Sequence, residues 1–509
     1  MGRLERNTFA NLFGAAWSAA VGLLCVPVYL GLMGPEGYGL VGLFLMLQSV
    51  FVVLDLGMGA TLSRELARSG HGRGEARTQR DLVYTLQAVY WLMALLVGVT
   101  VFALAPAVAS HWVKPQSLSP ESVTTCVRLM GAAMALQFPF AFYQGGLLGL
   151  QRQPLFNALA VSATTLRALG TLLALRLVAP RPETFFAAQI IAGAAATAAA
   201  ALMLWRCLPT PAEAGEGAGG FRFELIRRVW RFGAAYAVNS VATMGLMQAD
   251  KVILSTLLSL EAFGYYALAQ GVATGMYAVI LSVDAAAFPQ LANLAAREDV
   301  GALSEVYHRG SQLMSVLLAP VAAVAVLFPR ELLWGWTGHA AAAEHGWLVL
   351  TLLASGMLLH GLIQAPYFLQ VAHGWWRIIL RTNLLLLVGV VPLNLLMARA
   401  YGAPGTALVW VLLNVCYLVV LPTAHRRFLN EGRGRWLFED ILPPLAGALC
   451  AGAGARWLMP PGLSRAGVLA YLCAAGALAA LAAAALAPRM RAVVLEMFRR
   501  AEPSVARIN

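Results

Sequence analysis

The sequence predicts an all-α polytopic membrane protein with about fourteen transmembrane helices: two parallel six-helix bundles around a central cavity, then two extra C-terminal helices. Three observations predict it. Mean hydropathy is +0.71, and 60% of residues are hydrophobic against 12% charged, which excludes a soluble globule of this length. Apolar segments of about 20 residues recur along the whole chain, each long enough to cross a hydrocarbon core of about 30 Å as a helix. Backbone groups in lipid must be satisfied within the segment, so these are helices rather than loops. Finally, similar segments recur at an offset of about 225 residues, the mark of an internal duplication.

In order, the spans fall near 9–32, 38–62, 82–108, 122–149, 155–178, 184–206, 230–257, 263–292, 308–333, 346–371, 378–399, 405–424, 441–459 and 467–487. The first follows Arg3 and Arg6, with no small-residue cleavage site before Asn11, and reads as a retained helix rather than a signal peptide. After the sixth span, "PTPAEAGEGAGG" (209–220) has the composition of a flexible linker. The expected organisation is therefore a first bundle over 1–208, a cytoplasmic linker over 209–222, a second bundle over 223–428, and over 429–509 two extra helices with a tail.

The formal charge of +12 is a topology signal. Of the 36 Lys and Arg, 26 fall on the side of the N-terminus, 7 on the other, and 3 within spans. By the positive-inside rule both termini are cytoplasmic, which agrees with an even number of spans. The excess base also favours contact with anionic membrane lipids; it gives no reason to expect nucleic acid. The six cysteines are scattered in or beside spans with no CxxC and no His/Cys cluster, so neither a disulfide frame nor a metal site is indicated; they read as small buried hydrophobes.

The duplication rests on three matches. "EGYGLVG" (36–42) pairs with "EAFGYYA" (261–267), and "SRELAR" (63–68) with "FPQLAN" (288–293). "LQFPFAFY" (136–143) pairs with "IQAPYFLQ" (363–370), aligning Pro139 with Pro366 as candidate paired hinges. Six spans per unit gives both units one orientation, with spans thirteen and fourteen as an appendage.

Polar residues recur inside the spans. Asn7, Asn11, Gly14 and Ser18 share a face of the first span; Tyr236, Asn239, Thr243 and Asp250 share one of the seventh. Gln48 and Asp55 mark the second span, and Gln270, Tyr277 and Asp284 its counterpart. Polar groups facing lipid are costly, so these faces look at a passage or, equally for any one residue, at neighbouring helices. Asp55 reads either as a lumen carboxylate or as a local partner of Arg64. Arg167 lies about 18 Å into its span at 1.5 Å per residue, too deep to snorkel, and is the candidate central cationic site. Lys251 follows Asp250 directly, and adjacent positions do not share a helix face.

The stretch "LGLMGPEGYGLVGLFLMLQSVFVVLDLGMGATLSRELAR" (30–68) resembles polysaccharide and O-antigen (lipid-linked oligosaccharide) flippases of the multidrug/oligosaccharidyl-lipid/polysaccharide exporter superfamily. "QADKVILSTLLSLEAFGYYALAQ" (248–270) and "FPQLANLAARED" (288–299) are similar to the same family. The resemblance implies flipping of an undecaprenyl-pyrophosphate-linked oligosaccharide across a bacterial inner membrane by alternating access. It also implies cationic lumen residues that meet the pyrophosphate: Arg167 at depth, with Arg64, Arg68, Arg152, Arg231 and Arg309 at the inner mouth. No dense ring of deep arginines is present. Expected partners are the lipid-linked oligosaccharide, membrane lipids, and a glycan polymerase with glycosyltransferases. No cofactor is expected beyond a coupling ion, Na+ or H+, for which Asp55, Asp250 and Asp284 are candidates. Two other readings stay open. An ion-coupled multidrug or cation exporter of the same superfamily would share the halves. A membrane polymerase or glycosyltransferase would need more than the short outer loops near 109–121 and 334–345 supply.

Overall fold

The computed structural model describes residues 3–55, 57–68, 73–210 and 220–491, without the side chains of 3–13, 15–16, 19, 52–53, 73–74, 228–240 and 376. The linker residues 211–219 and the tail 492–509 lie outside the described residues, as do the side chains of Asn7, Asn11, Arg231, Tyr236 and Asn239.

Seventeen helices suffice to describe the architecture: α1 (Arg3–Phe51), α2 (Met58–Arg68), α3 (Arg73–Ala107), α4 (Pro120–Gly149), α5 (Gln153–Leu177), α6 (Pro182–Cys207), α7 (Phe223–Leu257), α8 (Leu260–Gly275), α9 (Tyr277–Ala296), α10 (Val300–Leu327), α11 (Pro329–Thr337), α12 (Ala340–Leu362), α13 (Gln364–Ala372), α14 (Trp376–Val420), α15 (Ala424–Phe428), α16 (Leu442–Trp457) and α17 (Arg465–Ala485). The described residues form no β-strand; Lys114 and Ser259 make one isolated bridge.

Local chemistry sets the boundaries. Within α1 the chain turns at Gly34, whose φ of 74° only glycine adopts at little cost, and Pro35 follows without an N–H to give. In α14 a similar break falls at Gly402, with φ 62°. Ser119, Asp299 and Ser464 cap the N-termini of α4, α10 and α17 by accepting from Ser122, Ala302 and Gly467 N–H groups. Gly338, in the left-handed region, ends α11.

Ten stretches among the described residues are long and apolar enough to span a membrane. Two of them, Ala20–Phe51 and Arg377–Phe428, contain the breaks at Gly34 and Gly402 and each occupy the place of two expected spans. Phe223–Leu257 and the 16-residue Leu442–Trp457 stand at two more, so the helices are consistent with fourteen spans. Large side chains such as Leu95, Leu96, Val99 and Phe102 on α3, or Leu385 and Val388 on α14, lie more than half exposed. In water such a surface would be a liability; it is what a lipid-facing surface requires. The same physics corrects the expectation for the cysteines: Cys126 is buried, but Cys416, Cys450 and Cys473 are exposed, on surfaces where lipid supplies the apolar surroundings.

The chain divides into two compact units, Met1–Ala267 with Asn383–Leu395, and Leu268–Thr382 with Leu396–Asn509. These follow packing, whereas the expected division at 209–222 follows sequence repetition. In the first unit α4 packs on α3 and α6 around Leu62, Val83, Leu86, Tyr90, Phe142 and Leu204. The returning linker is anchored there: Gly220 N–H and the Arg222 guanidinium reach buried Asp81 of α3, at 3.0 and 2.7 Å.

In the second unit α10 is central and packs against α9, α12, α16 and α17. Ala319, Ala323, Ala448, Ala479 and Ala483 are buried together; their small side chains let α16 and α17 approach α10 closely. The two final helices, expected as an appendage outside the repeat, pack directly on α10 in this unit. Leu66 and Leu291, aligned by the repeat, are both buried, at 3% and 2% exposure.

Candidate functional site

A polar chain crosses the interior of the first unit through four helices. Gln48 Nε2 on α1 donates to Gln137 Oε1 on α4 at 2.9 Å, and Arg167 Nη1 on α5 donates to the same oxygen at 3.2 Å. Gln137 Nε2 continues to the carbonyl of Gln189 on α6 at 3.2 Å, and Gln189 Nε2 to Thr171 Oγ1 at 3.2 Å. Room for Gln137 comes from Gly193, where a Cβ would stand 2.5 Å from Gln137 Cγ.

Arg167 is half-buried, its Nε donating to Ala163 O at 3.3 Å and its guanidinium 5.8 Å from the Phe140 ring centre. No carboxylate forms an ion pair with it among the described residues. A guanidinium held by amides and an aromatic face keeps its charge uncompensated, which is what an anion requires. Sequence reasoning singled out Arg167 and Gln48. It found Gln137 only as a repeat match and missed Gln189 and Thr171, although an amide deep in a span is itself a signal.

The other candidates separate. Ser18 sits 3.5 Å from Thr164, beside Trp17, whose Nε1 donates to Thr165 at 2.8 Å. A Cβ on Gly14 would stand 3.5 Å from Val161, so Gly14 and Ser18 both face α5. Asp55 ends a 3-10 turn and accepts from Gly59 N–H at 3.3 Å; Arg64 instead pairs with Glu65 at 3.1 Å. Thr243 is half-buried. Asp250 is compensated by its neighbour, contrary to the expectation from helix faces: Lys251 Nζ reaches it at 3.2 Å by folding back over Met247 O, at 2.8 Å. The flexible lysine stem permits a contact that Cβ directions alone do not. Tyr266 also donates to Asp250.

In the second unit Gln270 donates to Thr274 at 3.1 Å, Tyr277 stacks on His360 with centroids 6.1 Å apart, and Asp284 is buried. Arg68, Arg152 and Arg309 are exposed. Pro139 and Pro366 differ in setting. Pro139 lies inside unbroken α4, near Leu136 O, which accepts from Thr197 Oγ1 at 2.8 Å. Pro366 lies in the first turn of α13, just past the turn at Ile363, where a missing N–H costs little.

A second polar cluster, absent from the sequence reading, joins α10 to the segment before α16. His308 has Asp440 at Nδ1 and Glu431 at Nε2, the latter at 2.9 Å. Ser304 donates to Glu431 at 2.7 Å, and Arg489 lies 3.4 Å from Asp440 and 3.2 Å from Glu439. Burial pushes the Asp440 carboxyl above the ordinary range, although His308 and Arg489 oppose it. Among the described residues no group of three or more His, Cys, Asp and Glu is placed to hold a metal ion.

A family model described as polysaccharide biosynthesis protein matches residues 4–295. A Shigella flexneri protein assigned as an O-antigen transporter is 18% identical over 430 residues, covering 84% of this chain and 98% of that protein. Among solved structures, the lipid II flippase MurJ in an inward closed conformation aligns with a TM-score of 0.69 at 10% identity, over 97% of this chain and 99% of that one. An inward-facing multidrug resistance MATE family transporter of the MOP superfamily aligns with a TM-score of 0.68 at 15% identity, over 83% and 94%. At these identities the structural likeness is one of fold.

Proposed function

This chain belongs to the polysaccharide biosynthesis protein family, and from that premise we propose that it flips a lipid-linked oligosaccharide, undecaprenyl-pyrophosphate-linked, across the bacterial inner membrane by alternating access. It is a transporter and not an enzyme. In this reading the repeated segments 1–208 and 223–428 move against each other so that the head group crosses through a wet passage while the lipid tail stays in the bilayer. The passage spares many sugar hydroxyls from hydrocarbon, where each unpaired polar group costs several kcal/mol. The observation that carries the reading is Arg167: a guanidinium within the helices, tied to Gln137 and Phe140, with no carboxylate partner among the described residues. It would hold the pyrophosphate through charge-assisted bonds, with Gln48 turned toward the sugar. Arg64, Arg68, Arg152 and Arg309 would gather the anionic head group at the inner mouth. The termini would be cytoplasmic, and a glycan polymerase and glycosyltransferases would work beside it.

Deleting the protein in its host, with no redundant flippase, is expected to leave lipid-linked glycan on the inner leaflet and abolish its surface polymer; normal surface glycan overturns the reading. The second reading, a multidrug or cation exporter, draws on the MATE-like fold. In proteoliposomes, ion-driven efflux of a small cation without movement of lipid-linked sugar would favour it.

A further inference from the structure

Asp284, on α9 of the second unit, is 9% exposed, and its carboxyl makes no hydrogen bond or ion pair among the described residues. An ionised carboxylate buried in this way is costly. It borders a cavity of about 20 Å³. A water needs about 10–15 Å³ measured this way, so there is space for one.

The wall of this cavity is mostly carbon, from Val283, Leu291, Met314 and Phe368. Ser311 and Tyr307 of α10 interrupt it. The Ser311 hydroxyl is buried without a hydrogen-bond partner, beside the Tyr307 hydroxyl but outside hydrogen-bond geometry with it. Tyr307, fully buried, meets Nε2 of His425 on α15, and His425 Nδ1 is again buried without a partner. Past His425 the chain reaches solvent at exposed Arg426 and Arg427. An orphaned carboxyl, a one-water chamber and an orphaned hydroxyl thus line up with a tyrosine and a histidine open at its far nitrogen.

We propose that Asp284 is a proton-carrying group, loaded from His425 through Tyr307, Ser311 and a single water. The transfer balances. A cationic His425 gives its Nε2 proton to the Tyr307 oxygen as Tyr307 passes its own to Ser311. Ser311 passes one to the water, and the water gives one to an Asp284 oxygen. Each hydroxyl ends with one proton, the imidazolium becomes neutral, and the carboxylate becomes a carboxylic acid. A hard metal cation would need a shell of oxygens, whereas this wall offers the Asp284 carboxylate and two hydroxyls.

The groups that bias Asp284 are Tyr277 of its own helix, Tyr307 of α10, and His360 of α12, stacked on Tyr277; α13 adds only Ala365 and Phe368 to the wall. Facing His425 are Tyr307, His308, Glu431 and Arg433. The inference does not depend on which substrate is flipped.

The test is infrared spectroscopy of the full chain in lipid nanodiscs, following the carbonyl stretch of a protonated carboxylic acid. That band is expected in the wild type, absent in Asp284→Asn, and insensitive to sodium. On transfer to D2O its shift is expected to slow about tenfold in Tyr307→Phe and in His425→Gln, about 1.4 kcal/mol on the barrier. No Asp284-dependent band at any pH overturns the proposal. So does loss of the band on adding sodium, which would make the site a sodium site, and so does wild-type exchange in both wire variants. Should Asp284→Asn fail to fold, the sodium arm and the His425→Gln exchange still decide.

Discussion

Gly39 and Gly264, 225 residues apart, meet backbone to backbone in the first unit. A Cβ on Gly264 would stand 3.2 Å from the Gly39 nitrogen and 2.4 Å from Pro35 O, and one on Gly39 would stand 2.2 Å from Leu260 O. The offset that relates the glycines also maps Pro35 onto Leu260, and Gly42 onto Ala267, whose Cβ lies 2.7 Å from where a Gly42 Cβ would be. Each position contacts the equivalent of its own partner, the reciprocity of a two-fold interface. Gly39→Ala and Gly264→Ala are each expected to cost about 1–3 kcal/mol by overpacking. The double variant should cost less than their sum, because one backbone separation relieves both clashes. Thermal melting of the three variants in detergent checks this, and additive losses would count against a shared contact.

Arg167→Ala removes the uncompensated guanidinium while Gln48 and Gln137 keep their bond. Protein abundance is therefore expected to hold, while export of surface glycan falls about tenfold or more, the loss of one charge-assisted bond to a phosphate at about 1.5–3 kcal/mol. Arg167→Lys keeps the charge without the fork and should recover part of the export. Surface glycan staining against the amount of protein in the membrane separates the two effects.

How much of this was legible depended on whether the signal was local. Hydropathy fixed the helices because lipid dictates element type. Matches at 225 led to Gly39 and Gly264 because close backbone approach admits only glycine. Arg167 stood out because a charge at that depth is rare. What stayed hidden joins residues distant in sequence with no shared period. His308 reads as one more polar residue at a span end, and only the return of the chain at Glu431 and Asp440 makes it a node. Asp250 misled for a different reason, since helix-face geometry says nothing of where a long lysine stem folds.

At the 113–119 loop, Glu36 accepts from the backbone N–H groups of Ser117 and Leu118, each at 2.9 Å, from the Gln116 N–H and from the Ser117 hydroxyl. A buried carboxylate satisfied by consecutive amides holds a loop that has no regular structure of its own. Glu36→Ala strands these donors and is expected to cost about 1–3 kcal/mol and to expose the loop. A protease site engineered near Gln116 should be cut faster in the variant. Glu261, its repeat equivalent, accepts from the Tyr265 hydroxyl at 2.7 Å and, among the described residues, from no loop amide, so Glu261→Ala should leave cutting unchanged.

His308 links α10 to the final helices through two carboxylates, with Asp440 at Nδ1 and Glu431 at Nε2. Its removal leaves Asp440, fully buried, without that partner, so His308→Ala is expected to cost about 3–5 kcal/mol. Limited proteolysis should then cut first between α15 and α16. Glu431 supplies the pH dependence. Burial pushes its carboxyl up, but hydrogen bonds from Ser304 and His308, with the charges of His308 and Arg435, outweigh this and hold it below the ordinary range. A carboxyl depressed on folding stabilises fully above its unfolded value, about 4.3, and that contribution fades as pH falls through the lower folded value. Asp440, pushed up by burial, works in the opposite sense, so the comparison is between wild type and Glu431→Gln. Their melting temperatures should differ most at neutral pH and converge as the solution is acidified below the carboxylate range; a gap that stays constant with pH would show that Glu431 acts through shape alone.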